Sequence, residues 1–456
     1  MKKSLMWLLV MILAVSMIAT FSLIGCKEKE AAPEEEVVTP PPTEEVGEEV
    51  EEVEEVAPST EVLVYHYYTA GDEKAAMDAV IALFEETYPD ITVIENPVAG
   101  SEAMVSILET QFYAGEPPDV FISADLIRTA DWVRAGLILP VDDVWEELGL
   151  NDALNPNLAS MPALTYEDIH YGIPELTAYE SGIIFNKHIF DNVGIDPTSL
   201  TTVDALMDAC ATIKAAGYTP FAMGSQWLWA LKFPFVDAVL LKGGVDKYKA
   251  FYTGEITADD PAIREALEFF ASTAEYTNSD HTAFDWDGAC ELVVSDQAAM
   301  YVHGSWAGGW LKTMGFEWEV DMGIIPFPGL GDYFVMDGNL WSVPRFCEHP
   351  DAAKKFIQVA GSVEALSLEL VPRDSTIAWR TDIPATGLGP ITTDILEIQA
   401  NASTPVPSAQ CIEGTDVAFV NGVQGILQTL LIDGDVDAAV NSLVELRNTV
   451  FGEEGE

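Results

Sequence analysis

The amino-acid sequence predicts an α/β protein whose sheets are mainly parallel and flanked by helices. From residue 61 onward, segments with strand character alternate with segments of helical periodicity, which is typical of βαβ units. The chain has 456 residues, 49% of them hydrophobic and 10% aromatic, so it can bury large cores. At roughly 100–200 residues per domain, this length predicts two or three lobes. We find no internal repeat in the sequence.

The first strand–helix units begin directly at residue 61. Residues 61–68 are rich in β-branched and aromatic side chains, which predicts a strand that Gly71-Asp72 ends. Apolar residues then recur at helical spacing over 73–88. The same reasoning predicts a strand at 91–94, a helix at 101–114 and a strand at 119–123. Because ligands of such sheets lie beyond the carboxyl ends of the strands, the loops at 71–73 and 123–125 are candidate binding loops.

A second α/β region is expected to begin near residues 172–175. Residues 181–186 have strand character, and residues 202–216 form a predicted helix that Gly217 ends. Further predicted elements are helices at 261–276 and 286–298, a strand at 299–302, and helices at 415–431 and 435–449. Together these elements predict a second lobe of the same α/β class.

The chain is strongly acidic, with 75 acidic and 21 basic residues and a formal net charge of −54. Residues 27–60 contribute 13 Glu and two Lys (net −11), and residues 61–456 contribute 62 acids and 17 bases (net −45). This balance argues against nucleic acid as a partner, because phosphate binding needs clustered Lys and Arg. It also argues against adhesion to anionic lipid. A halophilic source would explain such a hydrated surface.

The N-terminus has the features of a targeting segment. Two lysines are followed by an almost wholly apolar stretch at 5–24 and by Leu23-Ile24-Gly25-Cys26, which resembles the lipobox of bacterial lipoproteins. The resemblance implies a signal peptide at 1–25 and lipidation of Cys26. An uncleaved membrane anchor or a plain signal peptide are the alternatives. Residues 26–60, with five Pro and no aromatic residue, are predicted to form a disordered acidic tether.

Three stretches of the body carry a resemblance to a known family. They are 79–93 (AVIALFEETYPDITV), 115–120 (GEPPDV) followed by 135–140 (AGLILP), and 296–306 (DQAAMYVHGSW). In order and spacing they resemble the extracellular solute-binding proteins of ABC importers, the group that includes maltose- and glucose-binding proteins. The chain is therefore expected to be a non-enzymatic receptor that captures a sugar, either a mono- or an oligosaccharide.

The resemblance implies a two-lobed periplasmic-binding-protein fold of type II. The N-terminal lobe is expected at 61–173 plus about 325–375, and the C-terminal lobe at 174–324 plus about 376–456. Glu175 and Pro326 are the expected hinge residues, with a third crossing around 372–382. The ligand binds between the lobes, and the expected partners are the transmembrane subunits of a permease with a separate ATPase. We expect a monomer outside the cytoplasm that its lipid anchors to the cell membrane, either at the outer face of the cell or in the periplasm.

Aromatic residues are the first candidates for a sugar site, because a sugar ring offers an apolar face to an aromatic surface. Trp306 follows a strand and Gly304-Ser305, where the family places an aromatic that packs on the sugar. Trp227 and Trp229 lie in a polar, aromatic stretch, and at this spacing one of them is expected to face the cleft. Each of these tryptophans could instead belong to the core.

Carboxylates are the second group of candidates. Asp72 and Glu73 lie at a strand's carboxyl end, where the family places acceptors for sugar hydroxyls, although Asp72 could simply cap a helix. Asp125 has a similar position, and Asp337 lies in a segment that offers polar contacts in the family. Arg373 could reach the cleft or form a surface ion pair. The segment after Asp119 lacks the Gln and His of the glucose-binding subgroup, and the loop at 407–411 lacks its His, which leaves glucose specificity open.

Other chemistries have little support in the sequence. It contains no His-Glu-x-x-His zinc motif, no phosphate loop ending in Lys-Ser or Lys-Thr, and no Gly-x-Ser-x-Gly turn, so we expect no metal and no cofactor. Paired acids such as Asp285 and Asp287 leave a surface glycoside hydrolase as an alternative, and an adhesive lipoprotein is a second one. Whether Cys210, Cys290, Cys347 and Cys411 form disulfides stays open, with a weak preference for none that is essential.

Overall fold

A computed structural model describes residues 60–69, 71–123, 125–154 and 164–452. The signal peptide, Cys26 and the acidic tether up to residue 59 lie outside these residues. From residue 60 onward the described chain forms one compact unit. Within it, no helix combines the length and apolar character needed to cross a membrane.

In the first part of the chain, strands and helices alternate, in close agreement with the elements that the sequence predicts. The predicted helix at 101–114 has the observed bounds, and Gly115 ends it in the left-handed conformation with φ 76°. In chain order the elements are β1 (Glu61–His66), α1 (Gly71–Thr87), β2 (Thr92–Pro97), α2 (Ser101–Ala114), β3 (Val120–Ser123), α3 (Leu126–Arg134), α4 (Asp142–Glu147), α5 (Leu150–Ala153), β4 (Thr165–Tyr166), β5 (Ile169–His170), β6 (Ile173–Tyr179), β7 (Gly182–Asn186), α6 (Lys187–Val193), α7 (Val203–Ala215) and β8 (Thr219–Ala222).

The second part of the chain is rich in helices and adds three strands to the sheet that contains β1. Helix α8 is interrupted at Gly244, whose φ is 65°. The elements are α8 (Lys232–Tyr252), α9 (Pro261–Ser272), α10 (Trp286–Val294), β9 (Ala298–His303), α11 (Trp306–Thr313), β10 (Met322–Pro326), β11 (Tyr333–Ser342), α12 (Pro350–Ala360), α13 (Val363–Glu369), β12 (Ile377–Ala378), α14 (Pro390–Asn401), β13 (Thr404–Pro407), α15 (Val417–Asp433) and α16 (Val436–Phe451), with short 3-10 helices at Pro197–Ser199, Leu228–Leu231, Thr273–Tyr276, His281–Ala283 and Ala409–Cys411.

The described residues form two principal sheets. The larger sheet has the strand order β12-β6-β11-β3-β1-β2, and β13 pairs with β11. The smaller sheet has the order β10-β7-β9-β8. The chain passes from the larger to the smaller sheet at Glu180-Ser181 and returns between Pro326 and Tyr333.

Strand pairing differs from the expectation of mainly parallel sheets. β1 is parallel to β2 and β3, as βαβ units require, whereas β11 is antiparallel to both β3 and β6. In the smaller sheet only β8 and β9 are parallel. Two of the antiparallel strands, β7 and β11, directly follow the segments at which the chain passes from one sheet to the other.

Sheet membership crosses the expected lobe boundaries at several strands, among them β6, β12 and β13. The boundary at residue 174 falls inside β6, which pairs with β11 and β12 of the larger sheet. Strand β13 (Thr404–Pro407), expected in the C-terminal lobe, pairs with β11 of the larger sheet. The sequence pattern marks a strand but not the sheet that it joins, because pairing partners are distant in sequence.

The smaller sheet is buried on both faces. Ile184 belongs to the core that extends to the larger sheet, whereas its neighbours Ile183 and Phe185 belong to the core around α7, α8 and α15. Because successive side chains of a strand point to opposite faces, every residue of β7 is buried. The two cores therefore meet this sheet from opposite sides.

Gly338 provides a test of the packing between β11 and a buried tryptophan. A Cβ placed on Gly338 would lie 2.0 Å from the ring of Trp379, which is fully buried. We expect Gly338→Ala to lower the free energy of unfolding by about 1–3 kcal/mol, the usual cost of overpacking. Gly331→Ala is the matched control, since nothing lies within 4 Å of its Cβ position. Urea unfolding of both variants measures the difference, and equal stabilities would contradict the packing described.

Candidate functional site

A buried polar network links the carboxyl end of β1 to β6 and β11. Its members, which we call the polar network, are Tyr67, Tyr68, Glu175, Asn339 and Arg373. Glu175 is fully buried and accepts hydrogen bonds from the Tyr68 hydroxyl and from Arg373 Nη1, each at 2.9 Å. Asn339 Nδ2 donates to Glu175 at 3.0 Å and to the Tyr68 hydroxyl at 2.7 Å. These bonds fix the directions of all four side chains.

Tyr67 and Asn339 keep partly exposed surface at the edge of this network. The Tyr67 hydroxyl donates to Asn339 Oδ1 at 2.7 Å, and both residues are only half-buried. The network therefore presents a hydroxyl and an amide whose orientations are set by buried partners. Such preorganised polar groups are the elements from which a binding site gains specificity.

Arg373 is the cation of the network. Its guanidinium lies 4.7 Å from the centre of the Tyr68 ring, and Nη1 donates to the Tyr68 hydroxyl at 2.8 Å. Burial opposes the charge, but Tyr68 and Glu175 outweigh it and raise the pKa of Arg373. The sequence left Arg373 open between the cleft and a surface ion pair. The structure places it in the buried network, with 4% exposure.

A second buried carboxyl, Glu369, lies beside Glu175. Burial, and then the charge of Glu175, raise the pKa of Glu369 well above its ordinary value. Both causes favour the protonated form of Glu369, which reduces its repulsion with the neighbouring carboxylate of Glu175.

Glu73 and Asp72, at the start of α1, stand at the edge of the polar network. Glu73 Oε1 is 4.0 Å from Arg373 Nη2, and its side chain is 34% exposed although protein surrounds it on most sides. This combination is typical of a group in the wall of a cleft. Burial, partly offset by Arg373, raises the pKa of Glu73 from 4.5 to about 7. Burial also raises the pKa of Asp72.

The start of α1 faces helix α11 of the smaller-sheet region. Asp72 Oδ2 lies 2.6 Å from the position that a Cβ on Gly309 would take, so glycine is what lets the carboxylate approach this helix. The Trp310 ring lies 3.8 Å from the Cβ position of Gly71. The two acidic residues predicted from the sequence are thus on one wall, and α11 forms the opposite wall.

An aromatic cluster surrounds the start of α11. Trp306 lies 5.6 Å from Phe233 and 6.4 Å from Trp229, measured between ring centres. Trp229 and Trp306 are half-buried, so both retain accessible ring surface. The members of this cluster are Trp229, Phe233, Trp286, His303, Trp306 and Trp310.

His303 is the buried centre of the aromatic cluster. It is fully buried, its ring lies 5.2 Å from Trp306 and stacks on Trp286 at 5.7 Å, and neither ring nitrogen has a hydrogen-bond partner among the described residues. Burial lowers the pKa of His303 to about 3. The imidazole is therefore neutral at physiological pH and acts as a further ring against which the tryptophans pack.

Gly304 and Ser305 set the position of Trp306. A Cβ on Gly304 would lie 2.0 Å from the Trp306 ring, which folds back over this residue. The Ser305 hydroxyl donates to the Ser375 carbonyl at 2.6 Å, and its oxygen lies 3.2 Å from the donating amide of Tyr179. Trp306 is thus tied to β6 and to the segment that follows Arg373.

Asp337 is occupied by protein partners rather than free in the cleft. Its Oδ2 is 3.4 Å from Lys232 Nζ and accepts from Gln410, and its Oδ1 accepts from the Gly338 amide at 2.8 Å. Lys232 Nζ also lies 3.0 Å from Glu180 Oε1. Burial raises the pKa of Glu180. This ion cluster of Glu180, Lys232, Asp337 and Gln410 lies where the chain passes between the sheets.

Asp125 and Trp227 are less closely tied to the other predicted residues. Asp125 caps α3, because its Oδ1 accepts from the Arg128 amide at 3.0 Å, which is the structural alternative for a residue at this position. Trp227 is 39% exposed and precedes the 3-10 helix that carries Trp229. Neither position has a described contact that assigns it to the polar network or the aromatic cluster.

The two predicted hinge residues lie in different surroundings. Glu175 is in the middle of β6, within the polar network. Pro326 pairs with Gly182 at the end of β10, directly beside the Glu180-Ser181 crossing. The Tyr179 hydroxyl donates to the Ser181 carbonyl, and the Ser181 hydroxyl donates to the fully buried Asp237. Side chains thus hold this crossing segment on both sides.

Several residues of the two clusters were not predicted from the sequence. Tyr67 and Tyr68 follow β1, where the rule on strand ends applies to them as well as to Asp72. Trp286 and Trp310 lack such a signal, because the sequence does not show that α10 and α11 pack together.

Within the described residues, no cluster of three or more His, Cys, Asp or Glu side chains is arranged to hold a metal ion. Cys210, Cys290, Cys347 and Cys411 are free thiols.

Two sheets joined by crossing segments, with a hydrogen-bonding wall opposite an aromatic one, are the features of a solute-binding protein. Residues 70–366 match the family described as bacterial extracellular solute-binding protein. The chain belongs to this family, which consists of binding proteins and not of enzymes. The two-lobed fold expected from the sequence is thereby confirmed.

Individual proteins extend this comparison. An uncharacterized ABC transporter extracellular-binding protein of Pyrococcus horikoshii is 34% identical over 389 residues, covering 84% of this chain and 86% of that protein. A probable sugar-binding periplasmic protein of Rhizobium meliloti is 28% identical over 341 residues, covering 71% of this chain and 77% of that protein. The solved structure of the bacterial solute receptor AcbH, described as having an exclusive preference for β-D-galactopyranose, superposes with a TM-score of 0.76 at 17% identity and covers 86% of this chain and 99% of the receptor.

The proton held by Glu73 leads to a prediction about stability. The pKa of Glu73 is about 7 in the folded protein and exceeds the ordinary value of 4.5. Protonation of Glu73 therefore stabilises the folded state fully below pH 4.5, and this stabilisation is lost as the pH rises through 7. We expect Glu73→Gln to be more stable than the parent at pH 8 and closer to it at pH 4.5.

Thermal unfolding from pH 4.5 to 8.5 measures this difference. Glu86→Gln is the control, an exposed glutamate at the other end of α1. If the difference in Tm between Glu73→Gln and the parent were the same at every pH, a raised pKa of Glu73 would be ruled out.

Proposed function

We propose that this protein is the substrate-binding lipoprotein of an ABC importer and captures a sugar between its two sheets. The observation that carries the proposal is the aromatic cluster around Trp306, opposite Glu73 and the polar network. A sugar combines hydroxyls with an apolar ring face, so it suits one wall of acceptors and donors and one wall of aromatic rings. The relatives named for ABC transport and for sugar binding support the same proposal.

In this proposal, Trp306 and Trp229 pack on the sugar, and Asp72 and Glu73 accept its hydroxyls. Tyr67 and Asn339 are added to the predicted contacts because they are the half-buried members of the polar network. Trp227 and Asp125 remain proposed contacts at the margin of the site. Asp337 is proposed to act at the hinge instead, since its oxygens are already bound by Lys232, Gln410 and Gly338.

Closure of the lobes is proposed to occur about the crossings at Glu180-Ser181 and near Pro326. The closed receptor would dock on the membrane subunits of the importer, and a separate ATPase would drive transport. The N-terminal segment supports a place outside the cytoplasm, with a lipid on Cys26 as the anchor and residues 27–60 as the spacer.

A saccharide panel combined with a Trp306 variant tests the binding function. We expect one class of sugar to raise the Tm of the parent protein, because a ligand that binds only the folded state stabilises it. Trp306→Ala should weaken that binding by more than about tenfold, equivalent to about 1.4 kcal/mol, with the fold retained. Calorimetric titration gives the affinities, and chromatography of the sugar after incubation shows whether it is unchanged.

Three results would count against this function. Turnover of the sugar would favour the hydrolase alternative, and the absence of any thermal shift across the panel would favour an adhesive lipoprotein. An unchanged affinity of Trp306→Ala would remove the aromatic cluster from the binding site. Circular dichroism of the variant distinguishes lost binding from lost folding.

Lipid anchoring needs a separate experiment. We expect the full chain, expressed in a bacterium that processes lipoproteins, to fractionate with membranes and to lose residues 1–25. Cys26→Ser should release it to the soluble fraction or leave an unprocessed precursor, whereas Cys347→Ser, in the folded body, should not change its location. Mass spectrometry of the N-terminal peptide identifies the modification. A parent protein that fractionates with membranes but keeps residues 1–25 would indicate the uncleaved anchor instead.

A further inference from the structure

The ten tryptophans that the structure describes divide into two groups by exposure and position. Five are buried and spread through the molecule: Trp132, Trp145, Trp318, Trp341 and Trp379. The other five retain accessible surface and lie in three neighbouring segments around the end of β9: Trp227, Trp229, Trp286, Trp306 and Trp310. Burial is the usual state of an indole, so the concentration of accessible rings in one region indicates a surface built for a ligand.

Four of the accessible rings form two pairs. Trp229 and Trp306 have ring centres 6.4 Å apart, and Trp286 and Trp310 have ring centres 5.7 Å apart. The buried His303 contacts both pairs, with its ring centre 5.4 Å from that of Trp229 and 5.7 Å from that of Trp286. The four accessible rings together present an aromatic surface larger than the contact area of a single ring.

Helix α11 sets the spacing between the pairs. Trp306 and Trp310 are four residues apart and lie on the same face of the helix, with a rise of about 6 Å between them along its axis. This distance is close to the length of one sugar ring in a chain. Two successive rings of an oligosaccharide can therefore each meet one aromatic pair.

Polar groups accompany the second pair as well as the first. Asp285 and Asp287 flank Trp286 in sequence, and the neighbouring Asp285 raises the pKa of Asp287 to about 6. Asp72 and Gly71, at the start of α1, face the part of α11 that carries Trp310. These carboxylates accept hydrogen bonds from hydroxyl groups and repel anions, which favours an uncharged polyol over an acidic one.

We propose that the cleft holds at least two consecutive sugar units, one on Trp229 and Trp306 and the next on Trp286 and Trp310, so that the ligand is an uncharged oligosaccharide. This inference rests on the proposed sugar-binding function and adds the length and charge of the ligand. In this proposal, Trp310 and Trp286 contact the second sugar unit and so determine the preference for longer saccharides. Trp306 contacts the first unit, which mono- and oligosaccharides have in common.

Calorimetric titration with matched saccharides of increasing length tests the second subsite. The probes are glucose, xylose, galactose and N-acetylglucosamine, with the corresponding di- to tetrasaccharides, and galacturonate oligomers as the acidic series. For one neutral series, we expect the di- or trisaccharide to bind at least about tenfold more tightly than its monosaccharide. Trp310→Ala and Trp286→Ala should reduce this ratio to near one. Trp318→Phe, at a buried tryptophan of the same region, is the control and should keep the parental ratio.

The outcomes separate this inference from the function on which it rests. A monosaccharide that binds as tightly as its oligomers, or a Trp310→Ala variant that keeps the full ratio, would overturn the second subsite while leaving sugar binding intact. Tighter binding of the galacturonate series would overturn the assignment of an uncharged ligand. Failure of every saccharide to bind the parent would contradict sugar binding itself. Trp310→Phe, which keeps a ring, should recover part of the ratio and guards against an unfolded alanine variant.

Discussion

The ion pair between Arg373 and Glu175 is the constraint on which the larger-sheet wall of the cleft depends. Both groups are buried, and a buried charge is tolerated only when it is paired and fully hydrogen-bonded. Tyr68 and Asn339 supply the remaining hydrogen bonds to this pair, and these bonds fix the positions of their side chains. Tyr67 is then oriented through Asn339, and Glu73 through the proximity of Arg373. The contacts that satisfy the buried Arg373–Glu175 pair thus determine which polar atoms reach the cleft.

Periodicity and turn residues were sufficient to predict most elements of the first lobe, including the helix at 101–114 with its observed bounds. They did not predict that β6 and β11 belong to the same sheet, because antiparallel pairing of residues about 160 positions apart leaves no local pattern. The same limit applies to the site. Trp306 and Glu73 follow strands and were predicted from that position, whereas Trp286 and Trp310 meet only because two helices pack together. Asp337 was expected in the cleft, but Lys232 and Gln410, distant in sequence, bind its carboxylate.

The acidic character of the chain has different meanings in different parts of the fold. Residues 61–456 carry a net charge of −45, and most of the carboxylates that the structure describes are exposed to solvent. Among the buried carboxyls, Glu175 is paired with Arg373, whereas burial raises the pKa of Glu369 and favours its protonated form. Glu73 lies between these cases, with part of its surface exposed and a pKa near neutrality. Net charge alone therefore indicates solubility, and the local surroundings of single carboxyls indicate the site.

The hydrogen bonds of Ser305 have a mechanical consequence. Ser305 binds Tyr179 of the larger sheet and Ser375 in the segment that follows Arg373, and the next residue is Trp306. In a hinge rotation, the displacement of an atom is proportional to its distance from the axis. If the lobes close about these crossings as proposed, a ring anchored beside them has a short lever arm, so Trp306 would keep almost the same place relative to the polar network. Residues far from the axis would move through the largest arc. The part of the site around Trp306 would then be a fixed reference against which the outer parts of the lobes close.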